Sequence, residues 1–524
     1  MCGRRQRHGD GREGRGAAIV NALPPVFPSV VHMLQEAAER APTREAIVCD
    51  GDRLSYDRFA RSVARMAEEL VAAGTAGGRV AILLPNSVDL AIAMLGALAA
   101  GAQAVPLNPV YTAHELVPIL EDAAPTVILA ANGVADAIEP AMCERGLPVP
   151  QRVGPGARRL IAGDEDAYIL PLPDPDALGL LQYTGGTTGR PKGVELTNRA
   201  TAINVAQREA VVPTTPDVER ALLMTPLYHV YATAMGLFLT LNARGTLVVM
   251  SRYTPELALA AIEEEGITFF AGSPTIYHGL LACERIATTD FSSLELCFSG
   301  ASALPAETLR RWKEITGCSI CEGFGQTETG PVLAANPRLS THKAGSVGVL
   351  LPRTKVEIVD IETGAALPLG ETGEICAAGP QIMHGYRNLP EETAEALRNG
   401  WLHTGDVGHM DADGYLHVTG RRKEMVVVSG FNVFPREIED ALYAHPAVRE
   451  VAAFGVPHTH KGEVLHVHAV CEKPSASIDD LMAFLAERLV RYKLPARLVL
   501  VESLPKTAIG KIDKAALQRA AKES

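Results

Sequence analysis

Clustered positive charge is scarce in this chain. Its 49 Lys and Arg are outnumbered by 61 Asp and Glu, for a formal charge of -12. Beyond the N-terminal "MCGRRQRHGDGREGRG" the basic residues do not group. A general nucleic-acid binder is excluded on that ground, because backbone phosphates demand grouped Lys and Arg. Long apolar runs are missing too. The most apolar stretch, "LAIAMLGALAAGAQAV" from Leu90 to Val105, is shorter than the roughly 20 residues a bilayer span needs. Rich in Ala and Gly, it reads as a tightly packed internal helix. The N-terminal residues have no apolar segment of the kind a secretory signal carries. Residues 1–24 are therefore expected to be a disordered tail, and the protein cytoplasmic, with peripheral membrane contact left open.

Paired cysteines are lacking as well. Nine are spread thinly, an odd number that fits no disulfide framework. Cys318 and Cys321 in "CSIC" have metal-like spacing, but no second pair or His cluster stands beside them in the sequence, and a zinc site needs about four ligands. Buried structural thiols in a reducing compartment are the expectation.

A chain of 524 residues, 47% hydrophobic and 21% charged, is folded and too long for one core, so two or more domains are predicted. From about Val30, helical patterns such as "YDRFARSVARMAEELVAAG" alternate with short apolar runs such as "RVAILLP" and "AQAVPLN". That alternation implies largely parallel sheets covered by helices. A second cycle, from "RALLMTPL" to "LPAETLRRWKEITG", makes two α/β layers. From about Gly345, short strands and Asp-Gly and Glu-Thr-Gly turns suggest a small antiparallel or barrel-like subdomain. After "TGRRK" a compact unit of two helices and several strands begins. The predicted fold class is α/β, with a large domain over 25–422 and a small α+β domain over 423–524.

Several loops carry chemistry. "YTGGTTGRPKG", Tyr183 to Gly193, packs four glycines, three threonines, a lysine and an arginine into eleven residues directly after the apolar "LGLLQ". Glycines permit tight turns, and threonine and lysine donate to phosphate oxygens, so it reads as a phosphate-handling loop leaving a strand. It is not a Walker A loop, since no Ser or Thr follows Lys192. "GFGQTETG", Gly323 to Gly330, follows the strand "SICE". Its aromatic suits a planar base and its carboxylate a hard cation such as Mg²⁺. In "WLHTGDVG", Asp406 sits in a turn where a carboxylate accepts ribose hydroxyls. In "LPKTAIGKIDK", Lys511 stands on a turn near the C-terminus.

These motifs, in this order, resemble those of the adenylate-forming superfamily: acyl-CoA synthetases, nonribosomal adenylation domains and luciferases. The resemblance runs from about Pro25 to the end. With "TPLYHV", "NGWLHTGD" and "MVVVSGFNVFPREIED", the chain looks most like bacterial long-chain fatty acid CoA ligases. It implies a two-step reaction, in which ATP and a carboxylic acid give an acyl-adenylate and pyrophosphate, and coenzyme A then displaces AMP.

Roles carry over by resemblance. Thr184, Gly185, Gly186, Thr187, Thr188, Gly189 and Lys192 would hold the β and γ phosphates. Gly323, Phe324 and Gly325 would meet adenine, the ring stacking where many relatives have Tyr, with Gly300, Ala301 and Ser302 on the other side. Thr327 would approach the α-phosphate and Glu328 would bind Mg²⁺. Asp406 would hold the ribose, and Arg421 would reach ribose or phosphate. Lys511 would bridge carboxylate and α-phosphate. Lys423 is the implied hinge of a mobile lid, and Gly430 would border the pantetheine channel. His229 and Tyr231 would stand at the acyl pocket, with Gly300 and Gly325 leaving room for a chain. His229 has an alternative role as a helix cap.

Val427 stands where luciferase-like members carry lysine, which favours thioester formation. An aryl or short-chain CoA ligase shares every nucleotide residue, and an acyl-AMP ligase loading a carrier protein stays open. A non-enzymatic binder is disfavoured by the presence of Glu328, Asp406 and Lys511. A homodimer is left open.

Overall fold

The computed structural model describes residues 22–163, 167–184, 191–300, 304–339, 342–343, 345–428, 431–458, 462–471, 476–507 and 511–523. Two large sheets form the bulk of the N-terminal domain. The seven-stranded sheet runs in the order Gly385–Tyr386, Lys192–Thr197, Leu178–Thr184, Gln103–Pro106, Arg79–Leu83, Val127–Ala130 and Gln151–Arg152. Its last five strands are parallel, and the first two are antiparallel to their neighbours. Strands buried on both faces explain the unbroken apolar runs in sequence.

The nine-stranded sheet runs Val349–Leu350, Ala334–Ala335, Ile320–Phe324, Leu296–Ser299, Phe269–Gly272, Arg220–Leu223, Thr246–Val249, Glu45–Cys49 and Asp52–Ser55. The two layers are thus not two successive halves of the chain. Glu45–Cys49, early in sequence, pairs in parallel with Thr246–Val249 and ties the N-terminus into the second sheet.

Helices start where short polar side chains cap them. Ser55 accepts from Arg58 N ahead of Tyr56–Ala72, and Ser87 accepts from Leu90 N ahead of Val88–Ala99, each cap contributing about 1 kcal/mol. Every residue of Val88–Ala99 is buried, the internal helix expected from its composition. A Cβ at Gly96 would sit 2.7 Å from Met66 Cγ, so glycine lets this helix approach Tyr56–Ala72. Its one charge, Asp89, accepts from Leu160 N at 2.7 Å and Arg159 Nε at 2.6 Å. No described helix is long and apolar enough to cross a membrane.

Beyond Gly345 a small antiparallel sheet forms from Lys355–Val359, Gly373–Ala378, Trp401–Met410, Leu397–Arg398 and Leu416–Arg421. The C-terminal unit has its own sheet, its own apolar core, and the helices Pro435–Tyr443, Ile478–Ala486 and Lys514–Glu523. The described cysteines are free; Cys318 and Cys321 are both buried. Cys318 Sγ lies 3.7 Å from Cys297 Sγ, while Cys321 Sγ lies 3.6 Å from His342 Nε2, a neighbour hidden in the sequence.

Candidate active site

The predicted loops leave from the carboxyl ends of three strands, one in the seven-stranded sheet and two that are parallel neighbours in the nine-stranded sheet. Leu178–Thr184 delivers Thr184, Leu296–Ser299 delivers Gly300, and Ile320–Phe324 delivers Gly325 and the Thr327–Thr329 turn. Ligands in such sheets gather outside the carboxyl ends of strands. Gly185, Gly186, Thr187, Thr188, Gly189, Ala301, Ser302 and Gly430 lie outside the described residues.

Thr184 and Lys192 face each other across the antiparallel pair that frames the glycine loop. The Lys192 ammonium stands 5.0 Å from the centre of the Tyr386 ring. Tyr386 in turn donates its hydroxyl to Glu328 Oε1 at 2.9 Å. Burial, then the charge of Glu328, pushes the phenol's pKa well up, so it stays a donor. Glu328 is held from behind as well, since Met383 N donates to its carbonyl at 2.9 Å. Tyr386 thus links the lysine and the acid of two separate motifs. Its partner lies 58 residues away, and the sequence carries no signal of that contact.

Asp406 lies within the strand Trp401–Met410, opposite Arg421 on the next strand and not in the turn expected for it, and is buried at 3% exposure. Its Oδ1 meets Arg421 Nε at 3.1 Å, and its Oδ2 accepts from Gln326 Nε2 at 2.5 Å. Burial raises its pKa despite Arg421 and Gln326, which pull the other way. Gln326 also donates to the Thr404 carbonyl at 2.8 Å, locking one loop to the other. Gln326 lies inside the Gly323–Gly330 motif, yet nothing in the sequence marks it for this role. Glu322 was also missed: its Oε1 accepts from Leu304 N at 3.2 Å, and burial raises its pKa to about 7, with Arg436 of the C-terminal unit opposing.

Lys511 reaches this cluster from the C-terminal unit. Its turn is closed by Thr507 N donating to the Lys511 carbonyl at 2.7 Å. Burial, then the charge of Arg421, pulls its pKa down to about 8, with Asp406 and Glu424 opposing. Lys423, in the short turn Arg422–Glu424, is likewise lowered, chiefly by burial. The same unit contacts the large domain where the Tyr443 ring lies 6.0 Å from His278.

His229 caps the turn Val230–Ala232, its Nδ1 accepting from Tyr231 N at 3.3 Å. Burial, then the charge of Lys511, brings its pKa down to about 4, so the ring is neutral with its proton on Nε2. Capping and proximity to Lys511 therefore coexist. Tyr231 donates to the Gly272 carbonyl at 3.1 Å and packs 6.5 Å from Phe298. Thr233–Phe238 follows as a buried π-helical segment, a form that often marks functional sites.

The two pocket glycines are required for reasons other than an open channel. A Cβ at Gly300 would meet the Tyr231 ring at 2.7 Å, and one at Gly325 would meet the Pro331 carbonyl oxygen at 1.9 Å. Protein atoms fill the space each leaves. Phe324 pairs with Ala334 in the nine-stranded sheet and packs against the cluster of Ala334, Val347 and Leu416, the last from the small antiparallel sheet.

The chain matches the AMP-binding enzyme family over residues 34–387 and the AMP-binding enzyme C-terminal domain over residues 437–511. A long-chain-fatty-acid–CoA ligase of Bacillus subtilis is 35% identical over 94% of this chain and 95% of its own. A feruloyl-CoA synthase of Amycolatopsis is 37% identical over 92% and 97%. ATP-bound MatB from Rhodopseudomonas palustris superposes with a TM-score of 0.88 at 32% identity, covering 95% of this chain and 99% of that one. The apo form of the same protein superposes at 0.79, covering 94% and 99%. Matched over most of its length by the two family models together and by relatives above 30% identity, this chain belongs to the AMP-binding enzyme family.

Proposed function

We propose that the protein is an acyl-CoA synthetase that activates a medium- to long-chain fatty acid with ATP and transfers it to coenzyme A. The observation that carries the reading is the convergence of Lys511 with Asp406, Arg421 and His229. The amine of a separate unit thereby acts within the field of Asp406 and Arg421 and itself acts on His229, which supports the roles proposed for these residues.

In the first step an acid oxygen bonds to the α-phosphorus and the bond to the β-phosphate breaks, releasing pyrophosphate. Negative charge grows on the leaving oxygens, and donors already in place stabilise it without reorganising. Thr184 and Lys192 serve the departing phosphates. Asp406 accepts from the ribose hydroxyls while Arg421 and Gln326 hold it. Lys511 neutralises charge between carboxylate and α-phosphate, its ammonium acting most strongly where water is excluded. In the second step the thiol sulfur bonds to the acyl carbon and AMP leaves. Lys423 is the hinge assigned to the movement between steps, and Gly430 the residue assigned to the pantetheine channel. The units divide at 422/423.

Glu328 fits a Mg²⁺ ion. It offers a hard oxygen donor, hydrogen-bonded by neutral Tyr386 and without an ion pair among the described residues. A cation there would screen phosphate charge and polarise the α-phosphate.

A second reading, an aryl acid as substrate, is favoured by the Tyr231 ring that closes the space before Gly300 and by the feruloyl-CoA synthase likeness. Both are tested by supplying ATP, Mg²⁺ and acids from acetate through aryl acids to C18, with and without coenzyme A. Pyrophosphate release and acyl-CoA mass are read separately. Thioester rising with chain length supports the fatty acid reading, at about 0.8 kcal/mol per buried methylene. Thioester solely from aryl acids replaces it, and pyrophosphate without thioester overturns the CoA transfer.

A further inference from the structure

The small antiparallel sheet that carries Asp406 brings together three side chains that the reaction above does not use as a set. Strands Gly373–Ala378 and Trp401–Met410 pair Cys376 with His403 directly across the ladder. Strand alternation puts Glu374 on the same face as Cys376. Cys376 Sγ lies 3.3 Å from His403 Nδ1, which lies 3.2 Å from Glu374 Oε2. All three donor atoms fall within 4.8 Å of one another. Glu374 and Cys376 are buried, and the His403 side chain keeps 17% exposure, which leaves an approach from solvent.

The arrangement is a convergence and not a relay. A nucleophile, base and orienting acid would use both ring nitrogens of a histidine, whereas here one nitrogen faces both partners. A tetrahedral zinc ion, with bonds of about 2.3 Å to sulfur and about 2.0–2.2 Å to nitrogen and oxygen, has nitrogen-to-sulfur and nitrogen-to-oxygen edges of roughly 3.3–3.6 Å. The two edges present here are close to those lengths. Once the thiol, which burial and the charge of Glu374 hold protonated, has given up its proton, a thiolate, a carboxylate and a neutral imidazole together balance a dication. A sulfur, nitrogen and oxygen set suits a borderline ion such as Zn²⁺ or Co²⁺ over Mg²⁺.

We propose that Glu374, Cys376 and His403 form a binding site for a borderline divalent cation of the Zn²⁺ type, with water in the fourth position, and that its occupancy slows the enzyme. On binding, the thiol gives its proton to solvent and sulfur forms the metal bond. The slowing follows from what Glu374 otherwise holds. Its Oε1 accepts from Gly405 N at 3.2 Å, beside Asp406, and its Oε2 pairs with Arg422 Nη1 at 3.5 Å. Arg422 begins the short turn Arg422–Glu424 that contains Lys423. A cation on Oε2 displaces Arg422 and draws on the carboxylate that holds Gly405 N beside Asp406. The binding claim stands apart from the reaction assigned above; only the slowing rests on it.

The test uses full-length protein stripped with EDTA and then freed of chelator. ZnCl₂ is titrated in competition with a chromophoric chelator, CoCl₂ is followed by absorption, and ATP-dependent pyrophosphate release is timed at fixed Mg²⁺. One equivalent of Zn²⁺ is expected per chain, with a sulfur-to-cobalt charge-transfer band and a rate that falls with Zn²⁺ and returns with EDTA. Cys376→Ser should keep its rate without Zn²⁺, lose the cobalt band, bind Zn²⁺ at least about tenfold more weakly and resist the slowing. His403→Gln should weaken Zn²⁺ similarly while retaining a cobalt–sulfur band at high Co²⁺, so the claim is testable even if one variant fails to fold. Absence of stoichiometric binding, or binding undiminished in both variants, overturns the site. Full binding with an unchanged rate overturns the coupling through Arg422.

Discussion

At the phosphate end of the site, Glu328, Asp406 and Arg421 are each tied to a polar partner from another loop. At the acyl end, Tyr231 packs against Phe298 and closes over Gly300, its one polar atom turned to the Gly272 carbonyl. The first region is a set of hydrogen-bonded charges whose geometry permits little change, because each group left unpaired inside the protein costs about 1–3 kcal/mol or more. The second is shaped by volume, and apolar volume is exchanged more cheaply. Under the proposed function, one end therefore sets the reaction and the other sets which acid enters.

The comparison breaks if damage to the phosphate end is mild. Asp406→Ala removes two charge-assisted contacts of about 1.5–3 kcal/mol each and leaves Arg421 and Gln326 without a shared acceptor. A fall of roughly 100-fold or more in kcat/KM for ATP is expected, with chain-length preference unchanged.

At the acyl end, Tyr231→Ala should do the reverse. Opening the space before Gly300 is expected to raise the ratio of long to short acids by about 10-fold, from about 1–3 kcal/mol of pocket contact, while KM for ATP holds. Equal losses for all acids would place Tyr231 in the common machinery.

A pH profile sharpens the division. The active form of Lys511 is the ammonium, and burial lowers its pKa to about 8. The proton is thus lost as pH rises through about 8, and kcat/KM for pyrophosphate release should fall about tenfold per unit beyond it. His229, held near 4, adds no inflection above pH 5. Glu322, near 7, gains charge on the way, and Glu322→Gln should remove any step there while leaving the limb at 8.

The smallest effect is assigned to Tyr386→Phe. Loss of the 2.9 Å bond to Glu328 is worth about 1 kcal/mol, so the Mg²⁺ concentration for half-maximal pyrophosphate release should rise about fivefold. An unchanged Mg²⁺ dependence would show that the hydroxyl does not orient the acid.

Much of this was legible in the sequence, for local reasons. Glycine loops after apolar strands and the alternation of helices with short strands are encoded within a few residues of one another, whereas the turn read at Asp406 is part of the strand Trp401–Met410. The fully buried helix Val88–Ala99 was foreshadowed by its Ala and Gly content, which permits close packing. The membership of Glu45–Cys49 in the second sheet was not legible, since its partner strand lies about 200 residues on and only tertiary packing selects it. Tyr386, Gln326 and Glu322 escaped for the same reason, their meaning residing in contacts with Glu328, Asp406 and the C-terminal unit. The room read at Gly300 and Gly325 was a sequence inference about absent side chains; the Tyr231 ring and the Pro331 carbonyl occupy it.

The most direct test of the central claim, that the C-terminal unit brings Lys511 in for adenylation, separates the two half-reactions in Lys511→Ala. Acid-dependent pyrophosphate release and the conversion of supplied acyl-adenylate to acyl-CoA are timed side by side. The account predicts a loss of about 10²–10³-fold in the first, the scale of removing one donor at developing charge, with the second near the wild-type rate. Equal loss in both, or a first step left intact, would contradict it.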